Sequence, residues 1–202
     1  MKMTGPKGKR ARALGIPLSP KTERILERRP YPPGEHGKTQ AMRRRKMSPY
    51  KQQLLEKQRL RAQYNVHERQ MRNYYKKASR KGDMVNSLIQ LLESRLDAVV
   101  LRGGLARTIF AARQYVNHGH ITVDGRKVDI PSYRVRPGQV VSVKEKSRRL
   151  ECFQNALDAS APPPPYLERD KKAMTVKYLY DPPRDEVPVI CEVPLVIEYY
   201  SR

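Results

Sequence analysis

A chain of 202 residues has room for one ordinary hydrophobic core or two small ones, and little for a large catalytic domain beside a recognition module. Its 42 Lys and Arg against 20 Asp and Glu leave a formal net charge of +22, past what solubility asks of a small domain, so a polyanion is the expected partner. No stretch approaches the roughly 18 consecutive apolar residues of a membrane span, the basic segments lack a wide apolar face, and two cysteines, Cys152 and Cys191, make no disulfide framework. These features favour nucleic acid over membrane and a reducing compartment, the cytoplasm ahead of an organelle stroma, whose address an acid-poor basic start also resembles.

The charge is concentrated toward the start: residues 1–81 hold 24 Lys and Arg and 5 Asp and Glu, whereas 82–202 hold 18 and 15. Residues 1–47 read as an extended basic arm, because Pro6, Pro17, Pro20, Pro30, Pro32 and Pro33 with five glycines deny a long helix. The arm is too polar to offset its own chain entropy and is expected to order on a partner. Arg28-Arg29 precede a proline-stiffened turn, and Arg43-Arg44-Arg45-Lys46 place four successive cations before a helix start. Both are expected to meet phosphate.

Ser48, an N-cap candidate with Pro49 at the first helical position, opens a helical domain over 48–92 with a break near Asn65. Leu54, Leu55 and Leu60 offer the first helix a narrow apolar edge, with Lys51, Lys57, Arg59 and Arg61 over the rest. The second sets Val66, Met71, Tyr74 and Tyr75 against Arg69, Arg72, Lys76 and Lys77. Val85, Leu88, Leu92, Leu96 and Val99 then step by helical intervals, which predicts one amphipathic helix over about 85–101 ended by Gly103-Gly104.

Thr108 is a candidate cap for a helix over about 109–118, with Ile109, Ala112 and Val116 inward and Arg113 outward. Ile121-Thr122-Val123 before Asp124-Gly125 is a hairpin signal, and Tyr133, Val135, Val140, Val141 and Val143 read as further short strands. Residues 161–166 read as a polyproline connector, and the strand-forming ending from Pro194 is expected to be tied against the body. Nucleophile elbows and phosphate loops are missing from the sequence, and the His118/His120 pair lacks a third ligand, so neither catalysis nor a metal is assigned.

Ser94-Arg95-Leu96-Asp97, the two short helices and residues 119–126 together resemble the alpha-L type RNA-binding module of ribosomal proteins, pseudouridine synthases and some tRNA synthetases. The resemblance implies that the second helix and following strand line an RNA groove, carrying Thr108, Arg113, His118, His120, Arg126 and Lys127, with Arg95 among the contacts. Residues 56–61 and 68–75, the arm motif Arg28-Arg29-Pro30-Tyr31-Pro32-Pro33-Gly34 and the ending Glu198-Tyr199-Tyr200-Ser201-Arg202 look like the bacterial-type small-subunit ribosomal protein four family. The similarity covers essentially the whole chain.

That resemblance implies an α+β fold: a basic extended arm (1–47), a mainly helical domain (48–92, joined by the C-terminal segment), and a module of two short helices on a small, mostly antiparallel sheet (93–157). A proline-rich connector and C-terminal segment packing back on the body (158–202) complete it. The implied function is structural and non-enzymatic, in the ribosome: primary binding of the small-subunit rRNA 5′ domain, nucleation of assembly, a contribution to translational accuracy, and a place on the mRNA entry path beside ribosomal proteins five and three. In that reading Arg10, Arg12, Arg28, Arg29 and Tyr31 contact rRNA, and Arg43, Arg44, Arg45 and Lys46 stand at the mRNA entry.

Many family members hold zinc through four arm cysteines. Here Gly8 and Ala11 stand near the first pair and the arm has no cysteine, so no cofactor is expected. Ile109 follows the cap of the second module helix, where the family usually has a basic residue. The competing class, an RNA-modifying enzyme with the same module, needs a catalytic domain that residues 150–202 are too short to supply.

Overall fold

The computed structural model describes residues 5–42 and 47–201, and the Arg43, Arg44, Arg45 and Lys46 group lies outside them. The chain divides into two compact units, residues 1–76 with 189–202, and residues 77–188.

In the first unit the arm is not extended. It forms three short helices, α1 (Lys7–Leu14), α2 (Pro20–Arg28) and α3 (Gly37–Met42). The prolines that argue against a long helix sit at the boundaries instead: Pro6 precedes α1, and Pro20 takes the first position of α2, where a missing N–H leaves no bond unmade. Gly15, with φ 67°, ends α1 in the left-handed conformation that glycine adopts most readily. Ser19 caps α2 reciprocally: Thr22 N–H reaches the Ser19 hydroxyl, and Thr22 Oγ1 accepts from Ser19 N at 2.8 Å. Ala11, Ile16 and Leu18 of the arm are buried.

Ser48 caps α4 (Pro49–Gln63) by accepting from Lys51 N at 3.3 Å, and Asn65 at φ 49° separates it from α5 (Glu68–Ala78), both as the sequence predicts.

The second unit carries α6 (Met84–Glu93), α7 (Leu96–Arg102), α8 (Ile109–Asn117), β1 (Ile121–Val123), β2 (Arg126–Lys127), β3 (Val140–Val143), α9 (Glu151–Asp158), β4 (Leu167–Asp170) and β5 (Thr175–Tyr178). The strands form one antiparallel sheet in the order β2-β1-β3-β5-β4. Asp124 at φ 48° and Gly125 at φ 78° make the tight hairpin between β1 and β2. Ile121, Val123, Val141, Val143, Val176 and Tyr178 are buried with Leu88, Leu92, Leu96, Val99, Ala112 and Val116. A Cβ at Gly103 would collide with Val176, which explains glycine at the end of α7.

The single helix predicted over 85–101 is two. Its apolar positions are buried as expected, but Arg95 adopts an extended conformation (φ −67°, ψ 140°). Leu96 N and Asp97 N donate to Tyr133 O and Pro131 O, and Val135 N donates to Ser94 O, so pairing with the 131–135 segment replaces helical bonds. That segment, expected as a strand at Tyr133 and Val135, makes only the isolated bridge between Arg95 and Arg134. The Arg95 guanidinium turns inward onto Asp97, Nε to Oδ1 at 2.9 Å and Nη2 to Oδ2 at 2.6 Å, with both residues 1% exposed or less.

The chain then returns to the first unit as α10 (Val193–Ser201), a helix where strand propensity suggested extension. Val193 and Val196 are buried one turn apart and α10 packs along α4, so tertiary burial overrides the β-branched preference. The face of α4 beneath it is polar: Gln53, Glu56 and Lys57 are buried with Leu60, whereas Leu54 and Leu55 stay half-buried. Gln53 Nε2 bonds Glu198 at 2.9 Å, and Lys57 Nζ lies 4.3 Å from the Tyr199 ring centroid. Glu68 accepts from Lys57 (3.1 Å), Arg61 (3.0 Å) and the Tyr200 hydroxyl (2.7 Å).

Replacing Asp97 by Ala leaves the Arg95 charge buried without its carboxylate, and should cost about 3–5 kcal/mol of stability. Urea denaturation measures it, and a loss under about 1 kcal/mol would mean that Arg95 finds water instead.

Burial pushes the Glu68 carboxyl up, but the Tyr200 and Lys57 hydrogen bonds and the Lys57 and Arg61 charges outweigh it and hold the group below its ordinary value. A depressed carboxyl adds stability that is present above its unfolded-state value and lost as pH falls through the folded one. Glu68→Gln should therefore lower the urea midpoint at pH 7, with a narrower gap to wild type at about pH 3. An equal deficit at both pH values would deny Glu68 an ionic role.

Candidate RNA-binding surfaces

In the second unit the hairpin and α8 carry the module's cations. Thr108 Oγ1 accepts from Ala111 N at 3.1 Å, which fixes the start of α8. One turn on, Arg113 is half-buried, its guanidinium 4.0 Å from Asp97 Oδ2, so the buried pair reaches the helix expected to face RNA. His118 is exposed at the C-cap. His120 is held in the body, Nδ1 2.9 Å from Ser147 Oγ and its ring 6.1 Å from Phe153. Arg126 and Lys127 are exposed on the β2 edge, with only a loose contact at 3.8 Å between Lys127 and Asp129.

Arg95 does not belong to this surface. At 1% exposure, bonded to Asp97, its charge is consumed inside the fold.

Three exposed cations that sequence reasoning passed over lie in the segment after β3: Lys144, Lys146 and Arg149. Lys144 N donates to His120 O at 2.8 Å, which sets this segment beside the α8–β1 turn. The signal was present as a basic run directly after a strand.

In the first unit Lys51, Arg69 and Arg72 are exposed on α4 and α5. Lys57, at 4% exposure, is a structural cation between Glu68 and Tyr199, not a surface contact. Arg59 and Arg61 are partly committed: Arg59 Nε donates to Leu14 O at 2.8 Å and pairs with Glu56, and Arg61 bonds Gln58 and Glu68. These two fasten α1 to α4 and α4 to α5, which sequence spacing alone does not reveal.

The arm displays Arg28 and Arg29 to solvent, with Arg10 half-buried. Arg12 is fixed, donating from Nε to Tyr31 O at 2.9 Å and from Nη2 to Pro32 O at 3.0 Å, with its guanidinium carbon 4.7 Å from the Tyr31 ring centroid. Lys38 Nζ also lies over that ring at 5.7 Å. The turn is tight enough that a Cβ at Gly37 would collide with Pro32 O. Of three tyrosines whose rings could stack on a base, Tyr64 is in the core, Tyr31 is covered by cations, and Tyr50 is exposed beside Tyr199.

Among the described residues no three His, Cys, Asp or Glu side chains form a metal-holding group, and no helix is long and apolar enough to cross a membrane.

Comparison with known proteins places the chain in a family. Residues 2–93 match the Ribosomal protein S4/S9 N-terminal domain and residues 94–141 match the S4 domain. The chain is 52% identical over 202 residues to small ribosomal subunit protein uS4 of Streptomyces griseus, covering 98% of this chain and 97% of that one. It is 49% identical to the same protein of Micrococcus luteus over 95% of this chain and 94% of that one, and 47% identical to that of Thermobifida fusca over the full length of both. With adjoining domain matches and about half of its residues shared with these relatives from end to end, the chain belongs to the uS4 family of small ribosomal subunit proteins, structural RNA-binding proteins and not enzymes.

Proposed function

We propose that this protein is a primary binder of the small-subunit rRNA 5′ domain, nucleating assembly there and contributing to translational accuracy beside ribosomal proteins five and three. The observation that carries the reading is the division of its cations. Lys57 and Arg95 are consumed by Glu68 and Asp97, whereas Arg28, Arg29, Arg69, Arg72, Arg126 and Lys127 are displayed at the surface. Displayed cations neutralise phosphates and release counterions, and a rigid spacing between them selects one folded RNA shape. A-form helices hide their base edges, so recognition by phosphate spacing, ribose hydroxyls and exposed loop bases is expected.

In this reading residues 1–47 are an arm that RNA holds in place and residues 93–157 a module laid on an RNA groove through Thr108, Arg113, His118, Arg126 and Lys127. The Arg43–Lys46 group stands at the mRNA entry path, acting electrostatically without a nucleotide fuel. Its support is four consecutive cations immediately before the Ser48 cap of α4.

Changing Arg126 and Lys127 together to Ala should weaken rRNA binding, and changing Arg43, Arg44 and Arg45 to Ala should weaken RNA binding, each flattening the slope of log K against log salt by roughly one for each phosphate left without its cation. Circular dichroism checks that the body stays folded. Unchanged affinity with an unchanged slope in either variant would remove that group from the interface.

A further inference from the structure

Between α1 and α2 lies a surface cavity of about 290 Å³, lined by Gly8, Arg12, Ile25, Arg28 and Arg29. Its origin is helical spacing. Gly8 and Arg12 are four apart on α1, Ile25 stands three and four residues before Arg28 and Arg29 at the end of α2, and these two stripes face each other. A Cβ at Gly8 would come within 3.2 Å of Ile25 Cδ1, so the bare glycine backbone keeps the space open.

The chemistry of the lining is mixed in a specific way. The walls are mostly carbon, yet three guanidinium groups belong to them. Among the described residues none of the three pairs with a carboxylate. Arg12 is held by two backbone carbonyls and the Tyr31 ring, so its side chain is set before any ligand arrives. A bare phosphate would suit the charge but waste the apolar walls, and an apolar ligand would leave the cations unused. A nucleotide satisfies both, with a flat base against carbon and guanidinium planes and a phosphate beside the charge. The volume lies near the lower end of the range for small-molecule sites, which suits a single nucleotide.

We propose that this cavity receives one unstacked base of the bound RNA strand, with Arg28 and Arg29 neutralising its phosphate and Arg12 forming a preset wall. This deepens the RNA-binding reading and rests on it. It makes the arm a reader of one extruded nucleotide as well as a phosphate-holding segment.

The test uses the full chain and a transcript of the small-subunit rRNA 5′ domain. Gly8→Leu and Ile25→Phe each fill the cavity from a different helix without touching a charge, so one serves if the other fails to fold, as judged by circular dichroism and melting midpoint. Arg28→Gln with Arg29→Gln removes charge and leaves the space. The proposal predicts that the filling variants bind about tenfold more weakly, the order of one stacked base, with the salt slope unchanged. It further predicts that one base protected from chemical modification by wild-type protein becomes reactive with them. If the filling variants bind as wild type while the arginine variant weakens and flattens the slope, the site reads phosphate only and the proposal is overturned. Wild-type protein without affinity for the transcript would overturn both this and the underlying RNA reading, an outcome distinct from loss of the cavity effect alone.

Discussion

Twenty carboxylates cannot neutralise forty-two cations, and the fold decides which cations the carboxylates take. Asp97 and Glu93 are fully buried, paired with Arg95 and Arg102, and Glu56 is nearly so, paired with Arg59. Each internal pair exists because a charge taken out of water must find its opposite. Each such pair removes one cation and one acid, so the excess stays whole and is carried by the cations on display. Fold stability and RNA affinity are thus two uses of one population of Lys and Arg, sorted by whether an acid lies within reach.

The two units apply this differently. In the first, polar groups tie helices together: Glu68 joins Lys57, Arg61 and Tyr200, and Arg59 reaches Leu14 O. The second unit has a denser apolar interior and uses Arg95–Asp97 at a helix break and Tyr166–Glu93–Arg102 as buried anchors. Burial and the neighbouring Glu93 push the Tyr166 hydroxyl far up, so it stays a donor to that carboxylate. Arg113, 4.0 Å from Asp97, links the interior pair to the helix surface expected to meet RNA.

Local chemistry was legible in the sequence and long-range pairing was not. The Ser48 and Thr108 caps, the Asn65 break and the Asp124-Gly125 hairpin depend on neighbouring residues and stand where predicted. The break at Ser94-Arg95 depends on residues 131–135, and α10 depends on α4, so neither could be read from its own segment. Strands β4 and β5 were passed over although Thr175-Val176-Lys177-Tyr178 alternates as a strand should. At the site, Lys57 and Arg95 look like any other cation in the sequence. Only the positions of Glu68 and Asp97 show them to be structural.

The most direct test of this division of charge is the affinity of the protein for a small-subunit rRNA 5′-domain transcript against a size-matched unrelated RNA, across a salt series with no metal added. A large preference for the 5′ domain that persists at physiological salt is expected, because displayed cations held at fixed spacing select a shape. Equal affinities that vanish together as salt rises would contradict it and reduce the protein to a polycation without specificity.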